Sequence, residues 1–314
     1  MYEPSQPLRI ASLWPASLNL DLSERLGRTC TVVQIPVSLD AAALDGAEVL
    51  LAAPEGLPQS APEGWPFGLR WIQLISSGTD HYPAWLLDAA RLGVLLTSGK
   101  GTSALPMAEF ALAAIFAHAK QMPEVWIDRR ERWGFRSLDS VAGATLGIAG
   151  FGVLGQAVAR HALAVGMRVV ALRHRHAASP VPGVELIPTM EALAAISDHL
   201  VLLLPAQAST HHIANAAFFS AARRGMHLIN LGRGTLVDQE ALVAALDSGQ
   251  LSRATLDVTD PEPLPDGHPL YSHPLVRLSP HTSVFSSATF EALAERVVVN
   301  TAKLRAGTAL EGAI

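Results

Sequence analysis

"TLGIAGFGVLGQAVARHAL", residues 145–163, runs from an apolar strand pattern through three spaced glycines into a helical pattern. Gly150 suits the tight turn, Gly152 lets backbone come close to a pyrophosphate, and Gly155 suits close packing of helix on strand. The helix that follows offers unpaired N–H groups and the positive end of its dipole to an anion. Three such glycines also fit an ordinary strand-to-helix turn. Here a further strand pattern, "RVVALR" (168–173), follows the helix, so strand, turn, helix and strand form one unit.

Outward from this unit the pattern repeats. "TLGIAG", "RVVALR", "HLVLLLP", "MHLINLG", "RATLDV" and "VRLSP" are six strand candidates in order, as a dinucleotide-binding sheet uses. Upstream, "LRIASLW", "CTVVQI", "EVLLAA", "WIQLIS" and "GVLLTS" read as five more buried strands, separated by helical stretches such as "PAWLLDAARLG". The expected fold class is α/β: two doubly wound parallel-sheet domains, Rossmann- or flavodoxin-like, with an interdomain active-site cleft. A long helical segment begins at Pro106, a residue suited to a first helical turn. After His281 the chain returns to one helix, "SATFEALAERVVVNTAKLRAG", which cannot form a domain by itself. It is expected to pack on the first domain. A catalytic domain of residues 1–105 plus 284–314 then brackets a dinucleotide-binding domain of 106–283. Two crossings, near 106 and 283, make a hinge.

Composition excludes several classes. The 314 residues are 49% hydrophobic and 16% charged, with net charge −5, so no basic field points to nucleic acid. No apolar run approaches the roughly 20 residues of a membrane-spanning helix, and the N-terminus lacks a signal-peptide pattern. A soluble, cytoplasmic chain is expected. Cys30, the single cysteine, excludes an intrachain disulfide and reads as a buried strand residue. The pairs His211–His212 and His174/His176 lack a ligand set at metal spacing, so no metal is expected. "DRRER" (128–132) reads as an exposed helix face, and no Ser-His-Asp layout is present.

The order "GFGVLG", "LLLPAQAST", "LINLGRGTLVDQEALVAAL", "TLDVTDPEPLP", "LSPHTS" resembles the D-isomer-specific 2-hydroxyacid dehydrogenase family. The likeness extends from "WIQLISSGTD" through His281, and is most similar to the NADPH-linked hydroxypyruvate/glyoxylate reductase branch. It implies an enzyme reducing small 2-keto acids to D-2-hydroxy acids by hydride transfer. In that likeness Arg233 holds the substrate carboxylate and polarises the carbonyl, a task suited to a planar, permanently charged fork. Gly232 and Gly234 would let substrate come close. His281 is the acid/base group and Glu262 the carboxylate that orients it and favours the protonated ring. Cofactor contacts are implied at Gly150, Gly152, Val153, Leu154, Gly155, Leu204, Pro205 and Asp257. "SSGTD" resembles the loop whose amides bind the substrate carboxylate, giving Ser77, Gly78 and Thr79; the same residues also fit a simple turn. Lys100, beside Gly101, either attracts an anionic substrate or is solvated. Trp133 either lines the pocket or packs a subunit interface. The stretch from Pro106 to about Trp133 resembles the family's dimer-forming segment, which implies a homodimer.

An acidic residue about 20 positions past the glycines binds the ribose 2′-hydroxyl of NAD, whereas arginine accommodates the 2′-phosphate of NADP. Here Arg173 and Arg175 stand at that point, with no Asp or Glu before Glu185. His174, between them, either stacks on adenine or is solvated. NADP(H) is therefore expected to be preferred, with NAD(H) possible. Two other readings stay open: a dinucleotide-sensing regulator of the same superfamily, and a dehydrogenase of a different small anion, such as phosphite or formate.

Overall fold

Strands buried on both faces must alternate their side chains between two apolar layers, and both sheets of this chain do so. The computed structural model describes residues 7–172 and 178–314. The chain divides into two compact units: one ends at Ser103 and resumes over Ser287–Ile314, and the other is Ala104–Ser286.

The first unit holds β1 (Leu8–Ser12), β2 (Cys30–Gln34), β3 (Val49–Ala52), β4 (Trp71–Leu74) and β5 (Leu95–Thr97). They form one parallel sheet in the order β2-β1-β3-β4-β5, a flavodoxin-like arrangement. Val49 and Leu51 point to one layer and Leu50 and Ala52 to the other. The first layer is covered by the helix Ala16–Leu26, through Leu18, Leu22 and Leu26, and by the helix Ser287–Ala306, through Leu293, Ala294 and Val297. The second is covered by Tyr82, Leu86 and Ala89. Cys30 is a buried strand residue with a free thiol.

The second unit holds β6 (Thr145–Ala149), β7 (Arg168–Leu172), β8 (Val184–Ile187), β9 (His199–Leu202), β10 (Met226–Asn230), β11 (Leu251–Leu256) and β12 (Val276–Leu278). All pairings are parallel, in the order β12-β11-β10-β9-β6-β7-β8. This is the dinucleotide-fold order with one strand added at the β12 edge. The sheet has seven strands where the sequence suggests six. The extra one is β8, a short edge strand carrying exposed Glu185, which pairs with Arg168 at 2.6 Å. Helices Ala104–Ala119 and Val153–Ala164 cover one face; Met190–Ile196, Ala216–Ala221 and Gln239–Asp247 cover the other.

The long helix also departs from expectation. It runs Ala104–Ala119 and does not reach Trp133. Pro123 explains the stop: proline has no amide to donate and restricts the residue before it, and Gln121 already sits at φ +51°. "DRRER" is correspondingly no α-helical face; Arg130–Arg132 is a single exposed 3-10 turn. Among the described residues no helix is long and apolar enough to cross a membrane.

Candidate active site

Because all seven strands of the second unit run parallel, their carboxyl ends share one edge, and the loops leaving it collect there. Read across the sheet from β12 through β11, β10 and β9 to β6, those loops carry His281, Glu262, Arg233, Leu204–Pro205 and the glycine turn.

Gly150 lies at φ +110°, and a Cβ there would come within 2.7 Å of the Leu203 carbonyl, so the exit of β6 can pass the exit of β9 only as glycine. A Cβ on Gly155 would overlap the Gly150 carbonyl oxygen, which holds the helix Val153–Ala164 against the turn. Gly152 differs. It caps that 12-residue helix, and nothing lies within 4 Å of where its Cβ would be. Open space before unpaired helix amides fits the pyrophosphate of a dinucleotide. Val153, at the first helical position, is half exposed. Pro205 stands in a loop tied by Thr210, whose hydroxyl donates to the Pro205 carbonyl at 2.7 Å. Arg173, His174 and Arg175 lie outside the described residues.

Arg233 follows β10 in an extended conformation, φ −142°. Asn230, fully buried at the end of β10, accepts from the Gly232 amide at 3.1 Å and donates to the Arg233 carbonyl at 2.8 Å. The flanking glycines are also required by packing. A Cβ on Gly232 would press on the Leu204 carbonyl oxygen at 2.9 Å, and one on Gly234 would overlap Thr259 backbone. Both meet neighbouring strand exits.

His281 Nδ1–H donates to Glu262 Oε1 across 2.7 Å, which leaves Nε2 as the ring's other reactive nitrogen. Both side chains are partly exposed. Glu262 stands between Pro261 and Pro263, with the Thr259 amide donating to its second oxygen at 3.4 Å. His281 itself is at φ +50°, a left-handed conformation costing a non-glycine residue on the order of 1 kcal/mol. Asp257 holds it there. Only 1% exposed, its carboxylate accepts from Ser279 Oγ at 2.5 Å, the Thr282 amide at 2.9 Å and the Ser283 amide at 3.0 Å. Its carbonyl also accepts the His281 amide at 2.8 Å. Asp257, expected among the cofactor contacts, also anchors the histidine loop.

In the first unit, the loop after β4 is braced by its own hydroxyls. Ser76 Oγ donates to the Gly78 carbonyl at 2.8 Å and Ser77 Oγ to the Gly99 carbonyl at 3.0 Å. The amides of Ser77, Gly78 and Thr79 make no hydrogen bond among the described residues, the condition an anion-binding nest requires. Lys100 is exposed on the loop after β5, and Trp133 is 79% exposed.

Asn230 and the anchoring role of Asp257 escape a linear reading, although an asparagine two residues before a glycine is a turn signal. So does a buried cluster at the opposite, amino end of the strands. His199 and His227 approach Nδ1 to Nδ1 at 3.2 Å, and the His118 ring lies 4.6 Å from that of His227. Burial lowers the pKa of all three. Among the described residues no group of three or more His, Cys, Asp or Glu could hold a metal ion.

A family model described as D-isomer specific 2-hydroxyacid dehydrogenase, NAD binding domain, matches residues 112–283. The chain is 33% identical over 286 residues to glyoxylate/hydroxypyruvate reductase B of Citrobacter koseri, covering 86% of each protein. It is 33% identical over 251 residues to glyoxylate reductase of Korarchaeum cryptofilum, covering 76% of this chain and 74% of that one. Among solved structures it is similar to an NADPH-dependent glyoxylate/hydroxypyruvate reductase of Sinorhizobium meliloti in complex with NADP and malonate. That match has a TM-score of 0.76 and 28% identity, over 99% of this chain and 97% of that one.

Proposed function

The chain belongs to the D-isomer specific 2-hydroxyacid dehydrogenase family, whose cofactor is a nicotinamide dinucleotide, and from that premise we propose that it reduces small 2-keto acids of the glyoxylate and hydroxypyruvate type, with NADPH as preferred reductant. The observation that carries this reading is the 2.7 Å His281–Glu262 pair, one strand exit away from Arg233. The names of the relatives, all three of them glyoxylate reductases, two also hydroxypyruvate reductases and one NADPH-dependent, support it.

When bound, the reduced nicotinamide supplies the hydride. The glycine turn and the first amides of Val153–Ala164 would hold the pyrophosphate, together with Val153, Leu154, Leu204 and Pro205. Arg173 and Arg175 would supply the positive charge for a 2′-phosphate. The Arg233 guanidinium binds the keto acid and draws charge toward the carbonyl oxygen. The amides of Ser77, Gly78 and Thr79 take the substrate carboxylate. His281, held by Glu262, delivers a proton from Nε2 to the carbonyl oxygen as the alcohol forms. Loss of that proton donor should lower kcat by about 10²- to 10⁴-fold.

The test is His281→Ala, assayed for turnover of glyoxylate and hydroxypyruvate and, separately, for NADPH binding by fluorescence. Turnover should collapse while binding persists. Retained turnover would overturn the reading. Arg173→Asp tests cofactor choice: the NADPH/NADH ratio of kcat/KM should fall, and an unchanged ratio would refute the 2′-phosphate assignment. The reading includes a cytoplasmic location and a homodimer; the exposed Trp126, Trp133 and Phe135 in the segment after the long helix support the homodimer. Sedimentation of the purified chain measures that directly.

A further inference from the structure

Asn230 reaches no surface, yet its amide group touches the two residues that decide where Arg233 sits. The side chain bridges the turn in both directions. Its oxygen accepts the Gly232 amide, closing a side-chain turn over two residues, and its nitrogen donates to the Arg233 carbonyl. Neither alanine nor an aliphatic residue could do both. The Asn230 carbonyl also accepts the Asp257 amide at 3.0 Å, and the Asp257 carbonyl accepts the His281 amide at 2.8 Å. One line of hydrogen bonds therefore runs from the arginine turn, across three strand exits, to the histidine.

A buried polar side chain with no route to water is costly unless satisfied, so a structural role alone would be met by an apolar residue in this fully buried strand position. Asparagine instead ties the turn by hydrogen bonds, where Gly232 packs by its backbone alone and the arginine is only partly buried. We infer that Asn230 is a positioning residue for the keto-acid step, acting through Arg233 by holding the Leu231–Gly232 peptide before it and the Arg233–Gly234 peptide after it. The inference rests on the proposed role of Arg233.

A double-mutant cycle on the full chain, with NADPH and glyoxylate, separates the two claims. Asn230→Ala should lower kcat/KM for the keto acid on the order of 10²-fold, the cost of misplacing a binding group by about an ångström. NADPH affinity should change by about twofold or less, because the glycine turn lies on another strand exit. In an Arg233→Ala background, the further change Asn230→Ala should cost about twofold or less. Equal losses in both backgrounds would overturn the inference while leaving the role of Arg233 intact. A fully active Arg233→Ala enzyme would overturn both. Asn230→Ser guards against a folding defect: its hydroxyl can still accept the Gly232 amide, so it should recover part of the keto-acid kcat/KM. No recovery, with NADPH binding retained by both variants, would count against the turn as the point of action.

Discussion

Acidification should destabilise the second unit before its carboxylates titrate, and the buried histidine cluster sets the size of the effect. His199 opens β9, and burial with the neighbouring His118 charge lowers its pKa from 6.5 to about 4. His227, deeper still, is lowered well below 6.5 by burial and then by His118, His199 and Arg253. His118, at the end of the long helix, is lowered by burial and Arg253. Asp198 and Asp139 act on His199 in the opposite sense. Below pH 6.5 the unfolded chain takes up a proton at His199, while the folded chain stays neutral there until about pH 4. Stability therefore falls as pH falls through that window and is fully present above it. At about 1.4 kcal/mol per pH unit, His199 alone removes about 2 kcal/mol between pH 6.5 and pH 5. His227 and His118 add in the same direction. Urea unfolding of the full chain and of His199→Gln, which cannot titrate, should show the wild type losing about 2 kcal/mol relative to the variant between about pH 7.5 and about pH 5. Parallel loss in the two proteins would refute the argument. The cluster lies at the amino ends of the strands, so activity per folded molecule should not follow it.

Other outcomes follow from individual contacts. Gly155→Ala must displace the helix Val153–Ala164 from the Gly150 carbonyl, which should cost about 1–3 kcal/mol in unfolding free energy and weaken NADPH binding in a fluorescence titration. Gly234→Ala drives a methyl group into Thr259 backbone; keto-acid kcat/KM should fall, since that loop leads to Glu262, and an unchanged value would contradict the packing. Glu262→Gln keeps a hydrogen-bonding group beside His281 Nδ1 but replaces the carboxylate that accepts from it; kcat for the keto acid should fall, and an unchanged kcat would separate Glu262 from the proton step.

Much of the fold is legible in linear order because parallel strands buried on both faces read as apolar runs. All five strands of the first sheet, and all but one of the second, stand where such runs stand. β8 is the exception for a physical reason: at the sheet edge only Val184 and Ile187 are buried, and exposed Glu185 breaks the run. The long helix misleads in the opposite way: it ends at Ala119, with Gln121 in a left-handed conformation and Pro123 two positions on.

The residue types at the strand exits were decided locally. The glycine spacing, the Arg233 turn, the proline-flanked Glu262 and His281 each announce themselves within a few positions of sequence. What only the tertiary structure decided is which of these touch. Asp257 anchors Thr282, 25 positions away, because β11 and β12 are neighbours in the sheet. His199 meets His227 across 28 positions because β9 pairs with β10. Gly232 and Gly234 are required by the backbone of adjacent loops, a demand invisible until those loops are side by side. Composition and periodicity specify each strand and its exit. Sheet order alone brings the exits together, and it is set by packing over the whole unit rather than by any stretch of the chain.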